Sequence, residues 1–322
     1  MAAHFPAGLV SASAIRKIED VVNWFPAAIT NTFCFEIELK EQSFTSDYSF
    51  VCRRNEIGVE ILAGRSDIHL PEELFTNSIW RDLRSFCYAW SEPSSWIRES
   101  IMYLWLEFDI NQVRPVPSPL IFLGIPHYCC TNVSDLISIL EMLKYPASER
   151  FIDMLRQCTQ WASKACNIFE IALMFSRQTD RVRFVFHGVD HSILSLLTEL
   201  GFEDLAEVKR IIADLQGMDN HLTVDIDAGD TIGPKIGLEC QFSGNVRMDQ
   251  PRWERALDYL VTVGLCTVEK RDALLKWPGG SEEKLDHLLL PAKAIRKINH
   301  YKIVWQRDAP LQAKAYLLAR FF

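Results

Sequence analysis

Charged residues recur at every second position in several otherwise apolar stretches of the chain. Glu36 and Glu38 flank Ile37, Glu107 and Asp109 flank Phe108, Asp225 and Asp227 flank Ile226, and Glu239 lies between Leu238 and Cys240. Cations stand in stretches of the same kind, at Arg183, Lys235 and Lys314. In an extended segment, residues two apart share a face, so each carboxylate pair projects into one common space. Carboxylates that face each other repel, raise their pKa values or demand a counter-charge. Three resolutions are open. The acids pair with Arg183, Lys235 and Lys314; they hold Mg²⁺, a hard ion that takes carboxylate and phosphate oxygens; or they meet a cationic or N–H-bearing ligand. Asp225 and Asp227, pointing the same way from one strand, are the first choice for a magnesium contact.

Five pairs of extended segments position these residues. The first begins at Phe33–Leu39 and returns between Tyr48 and Leu62, where both Tyr48–Cys52 and Ile57–Leu62 alternate. The others pair Ile101–Ile110 with Leu120–Ile125, Phe169–Phe175 with Val182–His187, Leu222–Asp227 with Lys235–Phe242, and His300–Trp305 with Gln312–Leu317. Alternation with β-branched or aromatic enrichment, bounded by Gly, Pro and Asp, is the strand signal. Between the pairs the period becomes helical, over Ala14–Phe25, Glu72–Trp90, Ser134–Lys144, Glu149–Ala165, His191–Gly201, Glu203–Gln216, Pro251–Gly264 and Val268–Trp277. Gly201 and Gly217 are placed as C-caps, and Pro251 is placed to open its helix.

Ten antiparallel strands in an open sheet would leave exposed edges, and closure removes them. The reading is therefore an α+β fold, a ten-stranded antiparallel barrel of repeated ααββ units with a surrounding ring of helices, one domain over residues 1–322. Helices cover the outside, so the apolar faces (Leu104, Leu106 and Phe108, for example) point outward. The polar faces (Trp105, Glu107 and Asp109) line the lumen. Lys302 is ambiguous, because its strand reads with either face inward.

Composition removes whole classes. The 322 residues are 48% hydrophobic, 24% charged and 11% aromatic, a globular composition. A formal charge of −8 argues against a nucleic-acid partner. No apolar run approaches the ~18 residues of a membrane span, and Met1–Pro6 carries no signal-peptide pattern. Nine cysteines without framework spacing read as reduced thiols in a cytoplasm. No phosphate-cradling glycine loop, nucleophile elbow or zinc spacing is present.

The order of helices and hairpins resembles the aromatic prenyltransferases of the ABBA, or PT-barrel, fold. Its indole-prenylating members carry Lys-x-Tyr pairs on barrel strands, and Lys314-Ala-Tyr316 is such a pair. The chain is also similar in flavour to the cyanobacterial enzymes that decorate hapalindole-type indole alkaloids. The resemblance implies transfer of a dimethylallyl or geranyl group from an allylic diphosphate to an indole-type small molecule by electrophilic aromatic substitution. It implies Arg183, Lys235, Lys314 and Tyr316 as diphosphate holders, and Tyr316 and Trp105 as shields of the allyl cation. Glu36 or Glu107 would orient the acceptor, Glu239 would contact substrate, and Asp225 and Asp227 would hold Mg²⁺. The partners implied are two small molecules, with no nucleic acid and no membrane, acting on a monomer or homodimer. A peptide acceptor and a non-catalytic barrel that binds a cationic ligand are the rivals.

Plainer readings stand beside these. A polar residue at alternate strand positions is most often solvated, and Arg183 could simply pair with Asp109 or Glu239. His187, Asp190 and His191 look like a metal group but read better as a strand end and turn. Cys129 and Cys130 read as buried thiols, Trp277–Gly280 as a helix stop and turn, and Lys293–Lys297 as a solvated loop face.

Overall fold

The alternation is realised as a closed barrel. The computed structural model describes residues 4–40, 46–112, 114–129, 132–177, 179–189, 192–216, 221–242, 246–283 and 292–322. The strands are β1 (Thr32–Glu38), β2 (Ser46–Arg53), β3 (Tyr103–Phe108), β4 (Leu120–Pro126), β5 (Ile168–Leu173), β6 (Val182–His187), β7 (His221–Ala228), β8 (Ile232–Gln241), β9 (Gly279–Glu283), β10 (Ala292–Gln306) and β11 (Gln312–Phe321). Antiparallel pairing runs β11-β1-β2-β3-β4-β5-β6-β7-β8-β10, and the β10–β11 pairing closes the ring of ten. Strand β9 is an eleventh, added on the early half of β10.

The core lies outside the barrel, between its outer face and the helices. Those helices are α1 (Ala12–Val22), α2 (Ile57–Ala63), α3 (Ser78–Ser91), α4 (Ile97–Ser100), α5 (Val133–Met142), α6 (Glu149–Ala165), α7 (Ile193–Glu199), α8 (Leu205–Gln216), α9 (Val246–Thr262) and α10 (Val268–Leu275). Outward side chains such as Phe35, Phe50, Leu104, Leu106 and Phe108 are buried against them. Each such side chain contributes roughly 1.5–3 kcal/mol relative to exposure, so the apolar face of every strand is held outward. Phe50 and Phe108 stack at 6.0 Å, with Trp80 of α3 stacked on Phe108 at 6.4 Å. Caps fix where helices begin: Ser148 accepts from Phe151 N at 3.0 Å, and Asn77 accepts from Ile79 N at 3.0 Å.

One open alternative is settled and three local expectations are corrected. Ser46–Arg53 is the return strand of the first hairpin, and Ile57–Ala63 is helix. Gly58 is what allows the helix to pack there, since a Cβ would lie 2.0 Å from the Ile29 carbonyl oxygen. Pro251 lies inside α9, which starts at Val246; the helix spends one backbone hydrogen bond at the proline instead of beginning with it. Residues 293–297, read as loop, belong to β10, and Gly279 and Gly280 open β9 rather than a turn. Gly201 has the expected left-handed φ of 75°, while Gly217, Cys130, Asp190 and His191 lie outside the described residues. No disulfide joins the described cysteines, and no described helix is long and apolar enough to cross a membrane.

Candidate active site

Because the apolar faces are turned outward, the polar faces converge on a cavity of about 330 Å³ inside the barrel. Of the residues singled out in the sequence, Trp105, Glu107, Arg183, Asp225, Glu239 and Tyr316 line it. Glu36, Lys314 and Asp227 are bonded directly to lining groups or to one another. Lys302 faces inward, which removes its ambiguity, and a register shift between Ile298 and His300 sets that phase of β10.

The register explains the contacts. Glu36 lies opposite Tyr316, and Glu38 opposite Lys314, across the β1–β11 pair. The Lys314 ammonium donates to Glu36 Oε1, and the Tyr316 hydroxyl donates to Glu36 Oε2. Burial would raise the Glu36 carboxyl, but Lys314 and Lys302 hold it well below the usual range. Arg183 forms a two-pronged pair with Asp227, Nε to Oδ1 at 2.7 Å and NH2 to Oδ2 at 3.1 Å, and its Nε is 3.6 Å from Asp225. Lys302 binds Asp225 and, at 3.1 Å, Glu239. Burial opposes ionisation of Asp225, yet Lys302 and Arg183 bring its pKa down to about 2. Gly237 makes this bridge possible: a Cβ there would lie 1.8 Å from Asp225 Oδ1 and 2.4 Å from Lys302 Cε.

Lys235 is different. Among the described residues it forms no ion pair, and burial, reinforced by Arg183 and Lys314, pushes its pKa down to about 8. Of the three cations, Arg183 and Lys314 are thus paired with carboxylates, and Lys235, placed within reach of their charges, has no direct carboxylate contact among the described residues. Arg183 pairs with Asp227 and Asp225, rather than with the Asp109 or Glu239 considered from sequence. Asp109 instead takes Arg177 at 2.8 Å, which also reaches Glu107 at 3.2 Å.

The magnesium contact expected at Asp225 and Asp227 is not what the geometry offers, because Lys302 and Arg183 already neutralise them. Among the described residues, the carboxylates grouped closely enough for an ion are Asp47, Glu107 and Asp109, with one oxygen of each within 4.8 Å of the others. Burial and then the charges of Glu36, Glu107 and Asp109 push Asp47 up to about 8. An all-oxygen donor set short of positive charge fits a hard divalent ion.

Several lumen groups escaped the sequence reading. Tyr103, Glu170, His187 and His300 line the cavity as well. Glu170 carried a legible signal, being one charge in Ile168–Leu173 at an alternate position. His187 was set aside as a strand end; its Nε2 lies 3.0 Å from Glu170 on the neighbouring strand, a contact that becomes an ion pair when the imidazole is protonated. His300 stacks on Tyr316 with ring centroids 4.0 Å apart.

A closed ten-stranded antiparallel barrel with a polar lumen and a helical jacket is the PT-barrel fold of prenyltransferases. The chain superposes on prenyltransferase PriB in its apo form with a TM-score of 0.55 and 12% identity, covering 96% of this chain and 91% of that one. The PriB complex with product diphosphate gives 0.53 and 11%, with coverage of 96% and 91%. The 5-dimethylallyl tryptophan synthase of Streptomyces coelicolor, in complex with DMASPP and Trp, gives 0.49 and 11%, with coverage of 96% and 89%. No family model matches the chain, and no curated protein matches its sequence. At these identities the likeness is one of fold.

Proposed function

We propose that the chain is an aromatic prenyltransferase, moving a dimethylallyl or geranyl group from an allylic diphosphate to an indole-type small molecule. The observation that carries this reading is the convergence of Arg183, Lys235 and Lys314, with Lys235 lacking a carboxylate partner among the described residues and its charge disfavoured. A diphosphate supplies the anion that such a group lacks. Tyr316 lies beside it, its ring 5.7 Å from the Lys302 ammonium and stacked on His300.

In this reading the three cations, with the Tyr316 hydroxyl, hold the diphosphate and stabilise the negative charge that grows as the allylic C–O bond breaks. The faces of Tyr316 and Trp105 attract the allyl cation and exclude water from it. Glu36 acts through Lys314 and Tyr316, whose positions it fixes, and Glu107 is held by Arg177; both shape the lumen floor. Glu239 sets Lys302. Bound Mg²⁺ would be held by Asp47, Glu107 and Asp109 and would offset diphosphate charge. The acceptor ring then attacks the cation to form the new carbon–carbon bond.

The test is incubation of the purified chain with dimethylallyl diphosphate and indole, followed by mass spectrometry and assay of released diphosphate. The reading expects an alkylated indole with one diphosphate released per product, and loss of both in Lys314→Ala. A chain that binds cationic ligands and leaves dimethylallyl diphosphate intact would belong to the non-catalytic rival.

A further inference from the structure

Tyr103, Glu170 and His187 have no part in the cation site just described, yet they form a connected set on the cavity wall. Tyr103 begins β3 and Glu170 belongs to β5, with β4 between them. Gly124 of β4 lies opposite both residues in the pairing. A Cβ on Gly124 would lie 2.3 Å from Tyr103 Cζ, so the glycine is what lets the phenol cross β4. The Tyr103 hydroxyl then donates to Glu170 Oε1 at 2.5 Å. His187 of β6 brings Nε2 to 3.0 Å from the same oxygen, and its Nδ1 is 3.3 Å from Thr223 Oγ1 on β7.

Both contacts fall on Oε1. Oε2 of Glu170 accepts no hydrogen bond among the described residues, although Glu170 is buried and lines the cavity. Among the other lumen carboxylates the engagement varies, and so does the partner. Glu36 has both oxygens engaged, by Lys314 and Tyr316. Asp227 has both engaged by Arg183. Asp225 is tied to Lys302, and Glu107 and Glu239 each accept through one oxygen, from Arg177 and Lys302, so each of these is held by a permanent cation, whereas the partners of Glu170 are a phenol and an imidazole. Glu170 is therefore a carboxylate fixed through one oxygen and open through the other.

We propose that Glu170 is the base that takes the ring proton of the acceptor after alkylation, with Tyr103 and His187 as its positioning residues. This rests on the prenyl-transfer reading above. Attack on the allyl cation leaves one ring carbon bearing both its hydrogen and the new substituent. That C–H bond breaks, its electron pair restores the aromatic ring, and the proton passes to Glu170 Oε2. The proton then leaves Glu170 Oε2 through the cavity to solvent as the product departs, which regenerates the carboxylate beside His187. Burial opposes charge on both partners, but Glu170 raises the His187 pKa and His187 lowers that of Glu170, which favours the ion pair as the resting state. A weak base suffices, because the alkylated ring cation is a strong acid.

The experiment compares the wild-type chain with Glu170→Gln, Glu170→Asp and His187→Gln, using dimethylallyl diphosphate with indole and with ring-deuterated indole. Each variant is first titrated with dimethylallyl thiodiphosphate, which reports an intact donor site independently of the base. The proposal expects unchanged thiodiphosphate binding in all three. It expects kcat to fall about a hundredfold in Glu170→Gln, with a deuterium isotope effect of about 2 or more where the wild type shows almost none. Glu170→Asp should recover part of the rate, and His187→Gln should show a smaller fall with the same emerging isotope effect. A wild-type rate in Glu170→Gln, or a slow variant with no isotope effect, would overturn the proposal. If Glu170→Gln does not fold, His187→Gln decides by the same two criteria. A wild-type chain that binds thiodiphosphate but leaves indole unalkylated overturns this base together with the indole acceptor. Absence of thiodiphosphate binding overturns the transferase reading itself.

Discussion

The two ends of the lumen handle charge in opposite ways. The end carrying the hairpin turns gathers Arg183, Lys235 and Lys314 on one side and Asp47, Glu107 and Asp109 on the other. Neither side is fully neutralised, and burial displaces Lys235 and Asp47 to about 8 from opposite directions. The end carrying the helical connections holds Tyr103, Glu170, His187 and Thr223 in a chain of short contacts. There the charges are one acid and one imidazole, matched to each other. A site with unmet charge awaits a charged ligand, and a site with matched charge is organised to move a proton. Both ends use the same device, a glycine in the intervening strand that lets side chains meet across it. Gly237 admits the Asp225–Lys302 bridge, and Gly124 admits the Tyr103–Glu170 bond.

That parallel can be broken at either glycine. Gly237→Ala forces its new methyl against Asp225 and Lys302 and separates a fully buried ion pair. The expected cost is about 3 kcal/mol or more, read as a fall in urea midpoint, with loss of thiodiphosphate binding. Gly124→Ala meets an aromatic ring instead, and overpacking of this kind costs about 1–3 kcal/mol. Its thiodiphosphate binding should survive, because the donor end is untouched. Tyr103→Phe keeps the ring over Gly124 and removes one hydrogen bond, so about 1 kcal/mol is expected in the same denaturation assay. Equal loss of donor binding in Gly124→Ala and Gly237→Ala would erase the distinction between the two ends.

A further effect concerns pH. Burial, with the charges of Glu36, Glu107 and Asp109, raises Asp47 in the folded chain to about 8 from its ordinary 3.8. Between those values the folded state binds a proton that the unfolded state has lost, so Asp47 makes stability fall as pH rises through this window. Asp47→Asn should flatten that slope, seen as a smaller difference between urea midpoints at pH 5 and pH 8. An unchanged slope would place Asp47 in a better-solvated or ion-neutralised setting.

Much of this organisation was legible in the residues. The outward apolar faces follow from alternation alone, because a jacket of amphipathic helices must meet them. The same alternation brings Glu36, Arg183, Asp225 and Tyr316 inside. What alternation does not encode is which inward residues meet. Asp225 and Asp227 look like a pair along β7, but their partners come from β10 and β6, and register across strands decides that. Ile57–Ala63 alternates like a strand and folds as a helix because Gly58 fits against the Ile29 carbonyl and Gly64 ends it in the left-handed region. The Gly124 and Gly237 windows are invisible until neighbouring strands are aligned. Glu170 was legible by the same rule that brings Arg183 inside, as the one charge of an apolar strand, but nothing in the sequence names Tyr103 and His187 as its partners.

The central claim is that the unmet positive charge around Lys235 is a diphosphate site. Calorimetric titration with dimethylallyl thiodiphosphate near pH 8, with and without Mg²⁺ and in buffers of different ionisation enthalpy, tests it most directly. Below its folded pKa Lys235 is charged, and near pH 8 it is partly neutral, so an arriving anion should draw a proton onto it. The account predicts tight binding with net proton uptake, uptake lost in Lys235→Met, and binding weakened tenfold to about a hundredfold in Lys314→Ala. Absence of binding, or binding that both variants leave unchanged, would contradict it.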